Sequence, residues 1–200
     1  MAIRHGRALL PLTLCILLAQ IAVAQTAAAK KITVHVDPAQ TQIRWTVRED
    51  LRTVRGTFAL KGGILVFDPA TGAANGEMLV DLDTGTSGDA KRDQMMKTQV
   101  LDSATYPEAI FHPEKVQGTL QPGGSSRLVV NGTFTLHGKD HPLQVILQAQ
   151  MNGATAVQAT AQFVVPYVSW GMKDPSTATQ HFAHEVRVSV TAKGSVEGLQ

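Results

Sequence analysis

From Ile32 to the end of the chain, apolar and polar residues alternate with period two, and few folds other than an antiparallel β-structure suit that pattern. QIRWTVR places Ile43, Trp45 and Val47 on one face, with Gln42, Arg44, Thr46 and Arg48 on the other. The same reading gives Val54, Phe58 and Leu60; Met78, Val80 and Leu82; and Leu128, Val130, Phe134 and Leu136. Farther on it gives Leu143, Val145, Leu147, Ala149 and Met151; then Val157, Ala159, Ala161, Phe163 and Val165; and last Val186, Val188, Val190 and Ala192. Each segment is a strand with one apolar and one wet face. Parallel strands covered by helices are apolar on both faces, so this sheet is antiparallel.

Turn residues punctuate the strands. Gly62-Gly63, Asp68-Pro69-Ala70-Thr71-Gly72, Pro122-Gly123-Gly124 and Asn152-Gly153 are expected to separate consecutive strands. Several apolar runs are long, about ten residues against the usual five or six. A long, twisted, one-sided antiparallel sheet removes its exposed edges by closing on itself. A barrel is therefore expected rather than a sandwich.

One stretch breaks the alternation. Ser87 to Pro107 carries Met96 and Val100 four residues apart, Asp89 as a cap, and good helix formers from Lys91 to Gln99. A short helix is expected over residues 89–100, covering an end or side of the barrel. Its paired Met95 and Met96 suit an adaptable apolar contact with the wall or with a ligand.

The first residues read differently. Arg4 and Arg7 precede an uncharged run, Ala8 to Ala24, that ends in the small-x-small pattern Ala22-Val23-Ala24. This is the layout of a secretory signal peptide, and the run, broken by Pro11, is shorter than the roughly 20 residues a spanning helix needs. Leu14 before Cys15 does not fit a lipoprotein signal. The expected organisation is a signal peptide at 1–24, a flexible mature N-terminus at 25–31, and a single barrel domain at 32–200. Removing 1–24 takes away the one cysteine, so no disulfide or thiolate nucleophile remains. It also takes Arg4 and Arg7, reducing the 18 basic residues to 16, equal to the 16 acidic ones. That balance argues against nucleic acid or an anionic membrane as the main partner. The mature chain, about 175 residues, suffices for one good-sized core.

Catalytic and metal templates find little purchase. In FTLHGKDHPLQV, His137 and His141 flank a bend in which Gly138 supplies positive φ and Lys139-Asp140 forms the polar tip. A zinc site usually needs three or four ligands; Asp140 is the local addition, and His112, His181 and His184 are distant in sequence. The two histidines are read as turn-flanking residues, with no metal expected. Nucleophile elbows, phosphate-binding Gly loops and dinucleotide fingerprints do not occur. Asp81, Asp83, Asp89 and Asp93 read as solvated charge. The Asn131-Gly132-Thr133 sequon lies inside a strand and carries no weight.

The order of several short motifs resembles the YceI-like family. They are Val36-Asp37-Pro38 before a strand; Val54 to Phe58; Gly62 to Asp68; Lys91-Arg92-Asp93 at the helix start; Val100 to Phe111; Gly132 to Pro142; and Trp170-Gly171 before the last strand. The resemblance covers roughly Val36 to Gly194. It implies an extended lipocalin-like barrel of about eight strands, with the helix over a long apolar tunnel. It also implies non-covalent binding of a polyisoprenoid or other long-chain lipid in the periplasm, with no shared catalytic residues and no cofactor. Many members carry His-Ser where this chain has Thr41-Gln42, and an Arg near the position of Pro166-Tyr167. These departures bear on head-group preference.

On that basis the expected tunnel wall comprises Trp45, Phe58, Met78, Val80, Met95, Met96, Leu128, Val130, Phe134, Val145, Leu147, Phe163, Val165 and Val188. The expected mouth comprises Arg92, Tyr167, Trp170, Lys173 and His184. Few large aromatics, many valines and the small Ala149, Ala159 and Ala161 leave room inside. The expected partner is a long-chain isoprenoid or fatty-acyl lipid, not nucleic acid, without stable membrane insertion; pairing of barrel edges would give a homodimer. The protein is read as a binding protein and not an enzyme. Two other readings stand beside it: a histidine-dependent metal-binding or lipid-modifying enzyme, and a secreted partner-binding module with a packed core.

Overall fold

The structure, a computed structural model, describes residues 30–199. The expected signal peptide, with Cys15, lies outside the described residues, as does most of the expected 25–31 segment. Nine strands form one antiparallel sheet: β1 (Ile32–Val36), β2 (Gln42–Glu49), β3 (Arg52–Phe67), β4 (Ala74–Thr86), β5 (Glu108–Gln117), β6 (Ser125–Leu136), β7 (Lys139–Asn152), β8 (Ala156–Val165) and β9 (Val186–Glu197). β1 and β2 share one column between β3 and β9. Val34 pairs with both Leu65 and Val196, and Trp45 pairs with both Gly56 and Val188. A 3₁₀ turn at Pro38–Gln40, capped by the Asp37 carboxylate, breaks that column in two. Counted by column, the sheet is a closed eight-strand barrel in which each strand pairs with its neighbours in sequence. The described sheet thus spends its edges on closure, which removes the template that exposed edges offer to another chain.

Two turn assignments need correction. Gly62-Gly63 is not a turn: both glycines lie inside the 16-residue β3, at a register shift between Leu60 and Gly62. A β-bulge there switches the inward parity from even (Val54, Phe58, Leu60) to odd (Leu65, Phe67), because the extra residue flips every side chain after it. β3 packs closely against its neighbours at Gly63, where a Cβ would stand 2.6 Å from the Met78 sulfur and 3.0 Å from the Val36 Cβ. The β6–β7 tip is His137-Gly138, not Lys139-Asp140: Leu136 pairs directly with Lys139. Both tip residues have positive φ, 55° and 70°, as a two-residue hairpin matched to strand twist demands.

The helix occupies its expected place with a different end. An α-helix, α1 (Ala90–Met95), runs into a π-helical stretch, Met96–Leu101, closed by Asp102 in the left-handed conformation. Asp89 caps α1, its Oδ1 accepting from the Arg92 N–H at 2.9 Å.

The interior has two zones. At the end formed by β1 and the β3–β4, β5–β6 and β7–β8 turns, Ile32, Leu65, Phe67, Val116, Leu120, Leu128, Val130, Met151 and Val196 fill the barrel. Met151 is 1 % exposed. At the other end two smaller clusters, around Leu82, Leu136, Tyr167 and Met172 and around Trp45, Val47, Val54 and Phe182, surround an open space.

Candidate functional site

That space is a cavity of about 190 Å³ under α1 and the long β8–β9 connection, residues 166–185. Strand alternation supplies its wall: Ile43, Trp45 and Val47 from β2, Phe58 from β3, Val80 and Leu82 from β4, Ala109 from β5, and Phe134 and Leu136 from β6. Phe163 and Val165 come from β8, and Val186, Val188 and Val190 from β9. Met95, Met96, Val100 and Leu101 descend from the helical segment, and Tyr167, Met172, Pro175 and Phe182 from the connection. Phe58, Val80, Phe163 and Val188 point inward and pack against the two clusters, yet are only half-buried, because part of each side chain faces the cavity.

Of the expected wall, Trp45, Phe58, Val80, Met95, Met96, Phe134, Phe163, Val165 and Val188 meet around this space. Met78, Leu128, Val130 and Leu147 do not; they belong to the packed end. Val145 is buried beside Val130 on the neighbouring strand and also lies outside the cavity. The sequence pattern marks an inward face, but it does not mark where along the strand the barrel is filled. Ile43, Val47, Leu82, Leu136, Val186 and Val190 carried the same alternation signal and line the cavity. Met172, Pro175 and Phe182 come from an irregular connection, where no periodicity announces them.

The expected mouth divides. Arg92 is the one charged residue among those lining the cavity, and Tyr167 brings its one phenol. Arg92 sits at the boundary with solvent, its side chain 29 % exposed, with Nη1 3.8 Å from Oε2 of Glu49. Its Nε donates to the Ser87 hydroxyl at 2.8 Å. Glu49 was not marked by the sequence. It is buried at the end of β2, where its Oε1 accepts from Gln180 Nε2 at 2.7 Å. The pair therefore ties α1, β2 and the β8–β9 connection together, and the Arg92 charge is compensated where it meets the cavity. Asp93, next on α1, is pushed up by burial, but hydrogen bonds from the Ser87 hydroxyl, the Ser87 N–H and the Thr86 hydroxyl outweigh this and hold its carboxyl below the usual value.

Burial, followed by the Asp174 charge, pushes the Tyr167 phenol up to about 12. The phenol therefore stays protonated at any physiological pH and can donate a hydrogen bond. Trp170, Lys173 and His184 do not line the cavity. Trp170 stacks flat on His141, centroids 4.1 Å apart, and lies 6.0 Å from Phe134. Lys173 Nζ donates to Gln99 Oε1, and His184 Nε2 meets Asp174 Oδ2 at 3.0 Å. Trp170 packs the connection against the interior cluster, while Lys173 and His184 brace it through polar contacts at the surface.

The two hairpin histidines do not face each other. His137 packs on Tyr106 at 4.6 Å and His141 on Trp170, and among the described residues no three His, Cys, Asp or Glu side chains gather as a metal cage would. No helix of the described residues is long and apolar enough to cross a membrane.

A closed antiparallel barrel, packed at one end and carrying an apolar cavity beneath a helix at the other, is a lipocalin-like fold. Residues 35–194 match the YceI-like domain, and the chain belongs to that family. No curated protein sequence matches it. Among solved structures, BcnA of Burkholderia cenocepacia superposes with a TM-score of 0.64 at 22% identity, over 79% of this chain and 98% of that one. A polyisoprenoid binding domain from Saccharophagus degradans, implicated in plant cell wall breakdown, gives 0.61 at 14% identity, over 82% and 98%. The Campylobacter jejuni YCEI protein gives 0.57 at 12%, over 73% and 86%. At these identities the likeness is one of fold.

Proposed function

We propose that this protein binds the apolar end of a long-chain isoprenoid or similar amphiphile in the cavity under α1, and serves as a periplasmic carrier or buffer once residues 1–24 are removed. The observation that carries this reading is the cavity itself. About 190 Å³ of space is walled by aliphatic, aromatic and methionine side chains, with Arg92 and Tyr167 as its polar features. An apolar cavity of about 150 Å³ stays dry and takes one benzene, so by proportion this one takes about eight carbons of a chain. At about 0.8 kcal/mol per buried methylene, those carbons contribute about 6 kcal/mol before the costs of association. The rest of a longer ligand lies in the mouth or outside, because the packed end blocks further entry.

The polar end of the ligand meets a hydrogen-bond donor, Tyr167, and a compensated ion pair, Arg92–Glu49. That environment favours an uncharged polar group such as an alcohol, an amide or a quinone over a carboxylate, since a free anion would have to compete with Glu49 for Arg92. The polyisoprenoid named for the Saccharophagus degradans domain and membership of the YceI-like family support an isoprenoid as the chain. Binding and release, not bond-making, is the role proposed.

Organic extraction of the purified protein followed by mass spectrometry, with displacement of a fluorescent prenyl or acyl probe, tests the proposal. A stoichiometric amphiphile, or saturable probe uptake, is expected. Protein that yields no lipid and takes up no chain of any length would overturn it.

A further inference from the structure

The equal numbers of acidic and basic residues hide a local segregation. The alternation that turns Trp45 and Val47 inward turns Arg44 and Arg48 outward, and β3 and β9 present Arg55 and Arg187 on the same outer face. Register gathers them: Arg55 and Arg187 flank Thr46 from its two sides, with Arg44 and Arg48 two positions away along β2. Arg52 begins β3 at the adjoining turn, next to Leu51; it pairs with the inward Glu49 and so adds charge at the turn and not on the outer strand face. All five are exposed, and none forms an ion pair with another described residue. Asp50, engaged by His181, and Glu185 lie at the rim, and Asp93, held by the Thr86 hydroxyl, borders β3 beside Thr57. Glu77, Asp81, Asp83, Glu108 and Glu114 lie instead on β4 and β5.

The same face carries the exposed large apolar side chains of the described residues. Leu51 is 95 % exposed at the apex of the β2–β3 turn, held there by Asp50 at φ 49°. Val164, 39 % exposed, pairs with Arg187. Ile146, 37 % exposed, lies in the row that runs through Gln162 and Ser189 to Arg44.

We infer that this arginine-rich face, with Leu51 at its tip, docks the barrel on an anionic lipid surface. Basic residues held against anionic headgroups, and an apolar side chain that reaches the acyl boundary, are the two elements of peripheral membrane binding. A nucleic-acid surface would use aromatic platforms for stacking, and this face has none. A protein partner would need an anchor in a pocket, whereas Leu51 stands alone on a protruding turn. The inner side of these strands, Trp45 and Val188, walls the cavity, so docking brings the cavity end to the bilayer. The functional meaning of docking rests on the amphiphile reading above, but the docking itself is measured separately.

The test is co-sedimentation of the purified protein with phosphatidylcholine vesicles with and without phosphatidylglycerol. Binding is expected only with the anionic lipid and is expected to weaken with salt. Each arginine held at the surface accounts for about a fivefold change in affinity, so the combined Arg48→Gln, Arg55→Gln and Arg187→Gln variant should bind about a hundredfold more weakly. Leu51→Ser should weaken binding at high salt, where the charge contribution is screened. Uptake of a chain probe presented in solution should be unchanged in these variants, which also shows that they are folded. Absence of vesicle binding, equal binding to both lipid types, full binding by the triple variant, or capture by RNA or an acidic protein but not by vesicles each overturns the inference. Vesicle binding without probe uptake in the unaltered protein instead overturns the cavity reading and leaves the docking face standing.

Discussion

Arg92 on α1 and Glu49 at the end of β2 lie 3.8 Å apart, one at the solvent boundary and the other buried. This is the one contact in which a charge lining the cavity meets its counter-charge, and it fastens the helix that covers the cavity to the strand that walls it. Truncating one partner leaves the other without its ion. Partial exposure of Arg92 moderates the cost, so Arg92→Met is expected to lose about 1–3 kcal/mol in urea unfolding, between the surface and buried limits. Adding Glu49→Gln to Arg92→Met should recover most of that loss, because the amide can still meet Gln180. Additive losses in the double variant would show the two side chains to be uncoupled.

The divided interior sets a limit on chain length. In a homologous series of aliphatic alcohols, affinity should rise by about 0.8 kcal/mol per methylene until about eight carbons are seated, then level off. Val188→Phe projects a larger side chain from β9 into the cavity and should weaken binding at least tenfold without loss of fold. Met78→Ala loosens the packed end beside the cavity, because Met78 lies two residues from Val80 on the same face of β4 and packs against the filled cluster. It should cost about 2 kcal/mol in stability, the low end for Met→Ala because Met78 is only partly buried, and shift the plateau to longer chains. A plateau that ignores both substitutions would place the chain elsewhere.

Tyr167→Phe separates the head group from the tail. With its phenol pushed up to about 12, the native residue donates one hydrogen bond and never a charge. The variant should bind a terminal alcohol or amide about tenfold more weakly, near the upper end of what one net hydrogen bond contributes. It should bind the matching hydrocarbon unchanged. Isothermal titration with the matched pair distinguishes the cases; equal losses for both ligands would mean that the ring only packs.

His141 makes stability depend on pH. Burial, followed by the Lys139 charge, lowers its pKa from 6.5, with Asp140 opposing; its Nε2 is buried without a hydrogen-bond partner. The folded state therefore binds the proton less readily than the unfolded chain. The stability from this group is fully present above pH 6.5 and is lost as the pH falls through the folded value. His141→Gln should flatten the stability profile between neutrality and mild acid relative to the native protein. Identical slopes in the two profiles, measured by denaturant unfolding, would remove His141 as the cause.

Gly138 at the β6–β7 tip has φ 70°, and a Cβ there would stand 2.5 Å from Tyr106. Gly138→Ala should cost about 1–2 kcal/mol through backbone strain and displacement of the ring. For a domain of this size that is a fall in Tm of roughly 2–8 °C. An unchanged melting temperature would show that Tyr106 moves freely.

The sequence by itself determined the antiparallel sheet, its approximate strand number, the helical insertion near Asp89 and the inward side of nearly every strand, because alternation with period two is a local property of the chain. It also marked Arg92 and Tyr167, which sit at an interruption of that pattern and just beyond the end of a strand. Tertiary structure decided the rest. Gly62-Gly63 read as a turn and proved to be a bulge, because only the pairing of β3 with β4 and the approach of Met78 show that the strand continues through it. Leu128 and Val188 carry the same inward signal, yet one packs against Met151 and Phe67 in a filled end while the other faces open space. What separates them is how many side chains from all the strands converge at each height of the barrel. The partnership of Glu49 with Arg92, and the gathering of five arginines beside Leu51, likewise join residues from separate strands, which only closure of the barrel brings into one place.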